Sequence, residues 1–257
     1  MVSDSFPKMP SFRLDGRRAL VTGAGRGIGM ASALALAEAG ADLTLVARSQ
    51  QELEDVATAV RQHGVNADTV CLDITDTEAV QSAIGKLQPY EILINSAGTN
   101  KPALLADTNM ADLDAVMNLN VRSTFLITRE LVKGMVSAGK GGSIVTISSQ
   151  MGHVGGTKRS VYCASKHAVE GMTKALAWEL GSHGIRVNTI CPTFIETKMT
   201  APMLSDPEFK QYVESRIALG RIGKLEDLMG AVVFLCSDAA AMVTGSALMV
   251  DGGWTSV

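Results

Sequence analysis

The run Arg18-Ala19-Leu20-Val21-Thr22-Gly23-Ala24-Gly25-Arg26-Gly27-Ile28-Gly29 decides the fold. Its first five residues form a short apolar stretch, as a strand buried on both faces requires. The glycines that follow let the backbone turn tightly and approach a diphosphate. The next segment, 28–39, is Ala- and Leu-rich with helical spacing. Its N-terminal amides and dipole would meet that negative charge. A Gly-rich turn that only packs helix on strand is the alternative. The setting of strand before and helix after favours the anion site. Gly23, Gly27 and Gly29 give the spacing G-x-x-x-G-x-G. The stricter G-x-G-x-x-G fails, because its last position falls on Met30 or Ser32.

Outward from this loop the same unit repeats. Short apolar runs at 18–22, 42–47, 67–72, 92–95, 143–148, 186–191 and 247–250 read as strands. Between them, 28–39, 51–63, 77–87, 112–136, 161–181 and 225–236 carry helical spacing. Alternating β and α over the whole length predicts an α/β fold with a doubly wound parallel sheet, in three αβα layers. Residues 1–257 are expected to form one domain, with 1–13 as an N-terminal extension. Two longer gaps break the rhythm, the Gly-rich 150–160 and the segment 192–223. Long loops in compact domains are often functional, so 192–223 is the expected substrate-loop region.

The composition agrees. Of 257 residues 46% are hydrophobic and only 4% aromatic, which suits parallel strands between helices better than an aromatic-rich sandwich. The net charge of −3 offers no basic footprint for nucleic acid. No stretch approaches 18 uncharged apolar residues, so no membrane span is expected. The first twelve residues lack a signal peptide's apolar region. Cys71, Cys163, Cys191 and Cys236 lie far apart without a CxxC pair, which argues against a metal site or disulfide framework. They fit a reducing cytoplasm.

The Thr22-Gly-x-x-x-Gly-x-Gly pattern resembles the short-chain dehydrogenase/reductase family. Matching motifs follow in order: Asn95-Ser96-Ala97-Gly98, Asn120, Ser149, then Tyr162-x-x-x-Lys166. The likeness runs from about Leu14 to Val257, and its branch is similar to 3-oxoacyl-[acyl-carrier-protein] reductases and sugar-polyol dehydrogenases. It implies a Rossmann-like nicotinamide-binding domain. Gly23, Arg26, Gly27, Ile28 and Gly29 would then hold the diphosphate, and Asn95, Ala97 and Gly98 would lie along the cofactor.

Where the family's NAD users carry Asp at the end of the second strand, this chain has Ala47 followed by Arg48. Arg26 adds a cation on the same side. A 2′-phosphate carries close to two negative charges and suits the forked donors of arginine, so NADP(H) is preferred, with NAD(H) possible. Two solvated surface arginines are the alternative. Asp73, followed by Ile74, resembles the acid that closes the adenine pocket, although an Asp at a strand end is otherwise a helix cap. Pro192-Thr193-Phe194-Ile195-Glu196-Thr197 resembles the loop against the nicotinamide. Thr193 stands there in place of the usual Gly, and Ile195 and Thr197 would contact the carboxamide.

Tyr162 and Lys166 lie one helical turn apart on one face. Carbonyl reduction needs a proton donor at the developing alkoxide, and alcohol oxidation needs a base there. A phenol titrates near 10. An ammonium about 4 Å away would supply roughly 4 kcal/mol and bring it to approximately 7. Lys166 would also hold the nicotinamide ribose, as the resemblance implies. Ser149 would orient the carbonyl, with Ser148 as the adjacent decoy. Asn120 would order a water in the proton relay, with Asn118 competing for that role.

Several neighbours have two readings. Met199, Met203, Phe209 and Tyr212 either line a substrate lid or pack. His153 shapes specificity or is a loop residue, while His167 and Cys163 read as structural. The expected activity is interconversion of a secondary alcohol and a ketone on a small-molecule substrate, either a 3-oxoacyl thioester or a sugar, polyol or gluconate-type compound. Arg122, Lys158 and Arg159 are candidates for a basic patch beside the site. A catalytically silent NADP-binding sensor or scaffold of the same fold is the rival. The resemblance implies a homotetramer or homodimer, built on the apolar faces of 112–136 and 161–181.

Overall fold

The computed structural model describes residues 6–257 except 85, 86 and 88. Seven strands are named: β1 (Arg18–Thr22), β2 (Asp42–Ala47), β3 (Ala67–Cys71), β4 (Ile92–Asn95), β5 (Gly142–Ile147), β6 (Ile185–Pro192) and β7 (Ala247–Val250). They form one parallel sheet in the order β3-β2-β1-β4-β5-β6-β7. Order reverses between β1 and β4, where Thr22 pairs with Val46 on one side and Asn95 on the other. Crossovers leave that point in opposite directions, and the crevice at the carboxyl ends is the place an open α/β sheet offers a ligand.

Both faces are covered. Helices α1 (Gly27–Glu38) and α2 (Gln50–Arg61) pack on one side. There Leu36, Leu53 and Val56 meet Ala19, Val21 and Leu45. On the other side α3 (Thr77–Ile84) brings Val80 and Ile84 against Leu20 and Leu93. Ala19, Leu20 and Val21 are all fully buried although they alternate between the two cores. A strand sealed on both faces must be apolar at every position, which is why β1 shows no polar alternation. The expected helix 77–87 is described as far as Ile84, and its residues 85 and 86 lie outside the described residues.

The expected single helix 112–136 is three pieces. Helix α4 (Met110–Met117) passes through a π-helical turn, Asn118–Ser123, into α5 (Thr124–Ala138). A π turn inserts one extra residue into the ladder, and such turns recur at functional sites. Then follow α6 (Ser160–Leu180), α7 (Ala201–Leu204), α8 (Pro207–Arg216) and α9 (Glu226–Cys236). The two short helices α7 and α8 lie inside the segment expected as loop. Leu14 is fully buried and its amide bonds the Ala39 carbonyl at 2.8 Å, so the domain begins there. Residues 6–12 ahead of it are exposed and without regular structure, and residues 1–5 of the expected extension lie outside the described residues. Among the described residues, no helix is long and apolar enough to cross a membrane.

Candidate active site

The glycine loop sits at the carboxyl end of β1. Gly23 has φ +66°, and a Cβ there would meet the Ala97 backbone at 2.9 Å, so only glycine lets the two loops touch. Thr22 Oγ1 accepts from the amides of Ser96 and Ala97 at 3.2 and 3.4 Å, tying the β4 loop to the β1 loop. A Cβ at Gly29 would run into the Gly23 carbonyl. Gly27, at φ +57°, faces Thr197 across a gap that a Cβ would reach at 3.8 Å. The loop is thus open on the side where α1 begins, and its shape fits a diphosphate held on helix amides.

Beyond the loop lies the β2–β3 edge. Arg48 is exposed, and its guanidinium makes no hydrogen bond or ion pair among the described residues. Arg26 is exposed too but leans on Glu52, 3.5 Å away in the first turn of α2. Asp73 accepts from the Thr75 amide at 2.9 Å and its hydroxyl at 2.7 Å. Those bonds, the backbone one foremost, and the charge of Arg48 hold its carboxyl below the usual range. Asp73 is therefore a turn-former in this structure. Ile74 is buried in the core beside Leu72 and Val80. The Asn95 side chain donates to Thr128 Oγ1 at 3.0 Å and braces β4 from within.

Three of the catalytic candidates, Ser149, Tyr162 and Lys166, converge on one cleft of about 140 Å³, which Asn120 does not line. Ile28, Gly98, Ser149, Tyr162, Lys166, Pro192, Ile195 and Thr197 all line it, together with Ser96, Thr99, Ile147, Ser148, Thr193, Met199 and Thr200. β5 delivers Ser149 just past its end, where the Ser149 hydroxyl accepts from the Met151 amide at 3.1 Å and donates to Gln150 Oε1 at 2.7 Å. It lies near enough to the Tyr162 phenol to favour the phenolate. Ser148 differs: its amide donates to the Ile190 carbonyl, so it continues the β5–β6 ladder at the carboxyl end of the sheet.

The expected field of Lys166 on Tyr162 takes another form. Lys166 Nζ lies 5.6 Å from the phenol ring centre and donates to the Ile147 carbonyl at 2.8 Å. Burial pushes the phenol up to about 12, against the nearby Ser149 hydroxyl and the charge of Arg159. Burial also brings the ammonium down to about 8. A phenol near 7 is therefore corrected: desolvation outweighs attraction in the protein alone. Glu170 and Cys191 resist the fall of Lys166. Cys191 Sγ donates to Glu170 Oε1 at 3.3 Å, Thr189 donates to Glu170 Oε2 at 3.0 Å, and His153 Nε2 lies 3.6 Å from Oε1.

Asn120 is 2% exposed inside the π turn, whereas Asn118 lies outward beside Arg122. Its Oδ1 accepts from the Thr99 amide at 2.8 Å, while Nδ2 donates to the Thr99 carbonyl at 2.9 Å and to Ser165 Oγ at 3.0 Å. The Asn120 carbonyl accepts from Thr124 Oγ1 at 2.9 Å. The residue thus clamps the loop after β4 to α6, next to Gly98 and Lys166.

The segment after β6 forms the far wall. Thr193 Oγ1 is buried without a hydrogen-bond partner, and Ile195 bridges to Gly223. An orphaned hydroxyl beside Thr197 suits a polar group such as a carboxamide, so the wall fits the nicotinamide end of the cofactor. Met199 lines the cleft, while Phe209 stacks edge-on against Phe194 at 5.7 Å and packs. Tyr212 is exposed beside Phe209. The candidate basic patch does not form. Arg122 donates to Thr77 Oγ1 at 2.6 Å on the far side of the π turn, and Arg159 is buried. Sequence alone missed Thr99, Gln150 and Thr200 as parts of the site; nothing in their spacing marks them.

Residues 23–255 match the family model adh_short_C2, described as enoyl-(acyl carrier protein) reductase. The chain is 38% identical to L-xylulose reductase of Bos taurus over 242 residues, covering 94% of this chain and 98% of that protein. It is 38% identical to gluconate 5-dehydrogenase of Gluconobacter oxydans, covering 95% and 96%. A gluconate 5-dehydrogenase from Burkholderia cenocepacia, solved in complex with NADP and tartrate, superposes with a TM-score of 0.92 at 34% identity, covering 97% of this chain and 99% of that one.

Proposed function

The chain belongs to the short-chain dehydrogenase/reductase family, and we propose that it is an NADP(H)-dependent oxidoreductase interconverting a secondary alcohol and a ketone on a sugar, polyol or gluconate-type chain. One observation carries the reading: Ser149, Tyr162 and Lys166 line a single cleft that also reaches Ile28 on α1 and Thr197. Ile28 follows the glycine loop, and Thr197 faces it.

Gly23, Arg26, Gly27, Ile28, Gly29 and Arg48 would hold the phosphates. Gly98, Pro192, Ile195 and Thr197 would flank the nicotinamide, with Lys166 on its ribose. The bound cofactor supplies hydride transfer to and from the carbon that bears the reacting oxygen. The protein's own work is at that oxygen. Tyr162 is protonated at neutral pH and donates its proton as the carbonyl becomes an alkoxide; in oxidation it takes the proton back. The Ser149 hydroxyl holds the oxygen beside the phenol. Lys166 sets the positive potential below it, and Asn120 fixes the loop and helix that carry them.

NAD(H) is the weaker second cofactor in this reading, since Arg48 offers a 2′-phosphate donors that a 2′-hydroxyl does not use. A cytoplasmic setting is supported by four free cysteines. Assembly as a homotetramer or homodimer is supported by Phe125 on α5 and Trp178 on α6, which are 49% and 90% exposed. The test is purified protein with NADPH and a panel of ketoses and keto-aldonic acids. Loss of nicotinamide absorbance is expected, and Tyr162→Phe should bind NADPH while losing turnover by about 10²–10⁴. Cofactor binding with no consumption across the panel favours the silent sensor instead.

A further inference from the structure

Arg159, three residues before Tyr162 at the start of α6, is an anomaly. It is 7% exposed, yet no carboxylate forms an ion pair with it among the described residues. Its Nη1 is buried with no hydrogen-bond partner, and its Nη2 reaches only the Met203 sulfur, at 3.1 Å. A thioether is a weak acceptor, so this guanidinium has left water for almost nothing. A buried cation normally has a counter-ion, and an unpaired one is strongly unfavourable.

Three features place this charge deliberately. Arg159 precedes the first turn of the 21-residue α6, whose N-terminal dipole adds positive potential. The residue before it, Lys158, is the one non-glycine with positive φ among the described residues, at +61°. Its carbonyl is pinned by the Ala103 amide at 3.2 Å. Left-handed backbone at a lysine is strained, and strain of this kind clusters at functional sites. Finally, Arg159 is near enough to the Tyr162 phenol for its charge to act on it.

Resting on the oxidoreductase reading above, we propose that Arg159 binds the carboxylate of the substrate, which is a hydroxy or keto acid of the aldonic type rather than a neutral polyol. The carboxylate takes the place of the Met203 sulfur, and Nη1 and Nη2 present the paired donors that match its two oxygens. Met203 lies on α7, and its flexible thioether can swing aside to admit the acid. The carbon to be oxidised or reduced lies along the chain toward Tyr162.

Calorimetry with D-gluconate and with sorbitol, added to the protein saturated with NADP⁺, tests this without turnover. Gluconate is expected to bind about tenfold to a hundredfold more tightly than sorbitol, the range of a charge-assisted pair. Arg159→Gln should remove that preference, and Arg159→Lys should keep part of it. In turnover, Arg159→Gln should raise KM for a keto-aldonic acid at least tenfold more than KM for a neutral ketose, while kcat for both shifts together through the lost charge beside Tyr162. Equal binding of gluconate and sorbitol by the wild type, or a preference that survives Arg159→Gln, overturns the proposal. Should Arg159→Gln not fold, the wild-type comparison decides alone. Good turnover of neutral ketoses with no anion preference overturns this inference and leaves the oxidoreductase reading standing. An anion preference with no turnover does the reverse.

Discussion

The ammonium of Lys166 lies 5.6 Å from the centre of the Tyr162 ring and spends a 2.8 Å hydrogen bond on the Ile147 carbonyl. The two groups are thus neighbours without being partners. Burial separates the phenol and the ammonium from water and moves each toward its neutral form, the phenol to about 12 and the amine to about 8.

A pH profile follows. Reduction needs the phenol protonated, and with a value of about 12 it is protonated throughout the neutral range. The break in kcat/KM for ketone reduction therefore belongs to Lys166: flat below about 7, falling as pH rises through about 8. Alcohol oxidation has the opposite sign and climbs with pH, because the phenolate fraction rises tenfold per unit. Stopped-flow rates from pH 6 to 10 check this, and a reduction profile with no inflection near 8 would count against it.

Lys166 also weakens the fold. Its ordinary value of 10.5 falls to about 8, so below pH 8 it is charged both folded and unfolded and its full penalty is felt. The penalty fades between about 8 and 10.5, where the unfolded chain binds more protons. The shift corresponds to roughly 3 kcal/mol, offset by about 1 kcal/mol for the bond to Ile147. Lys166→Met should therefore abolish turnover while raising Tm by about 5 °C at pH 7, with the gain gone by pH 10. Calorimetric scans at the two pH values provide the measurement.

In the proposed clamp, cofactor choice would rest on an uneven pair. Arg48 is unengaged, but Arg26 leans on Glu52 at 3.5 Å. Arg48→Ala should raise KM for NADPH by about tenfold to a hundredfold and spare NADH. Glu52→Gln should do the reverse, releasing Arg26 and lowering KM for NADPH several-fold. Equal losses for both cofactors in Arg48→Ala would refute the phosphate clamp.

Gly23→Ala tests the contact between the two cofactor loops. The added Cβ would meet the Ala97 backbone at 2.9 Å at a φ of +66°, and neither chain is a flexible side-chain end. A loss of about 2 kcal/mol or more in urea unfolding is expected, with weaker NADPH binding. Unchanged stability would mean that the two loops do not touch in solution.

Much of this was legible in the sequence because it depends on local pattern. The run Arg18–Thr22 and the glycines after it define a strand, a turn and a helix from three neighbouring segments. Strand ends differ by a residue: 143–148 is observed as Gly142–Ile147, and 186–191 as Ile185–Pro192. What was not legible depends on distant partners. The π turn at Asn118–Ser123 accompanies bonds from Asn120 to Thr99 and Ser165, 21 and 45 residues away. The acidity of Tyr162 depends on how much water its neighbours exclude, which spacing to Lys166 does not encode. Arg159 looked like surface charge until the fold enclosed it. The helices α7 and α8 were hidden by Pro202 and Pro207, which here sit in the first turns of helices and do not break them.

The π turn makes the middle of a helix intolerant to a change in length. Residues 118–123 carry one residue more than a regular turn, so α4 and α5 are out of phase by roughly 100°, one residue's share of a 3.6-residue turn. Deleting a single residue there would leave a better helix by every local criterion, and its apolar faces would still look sound. It would also close the widened turn and pull Asn120 off Thr99 and Ser165. A loss of one residue is thus barred here by the very irregularity that the loss would repair.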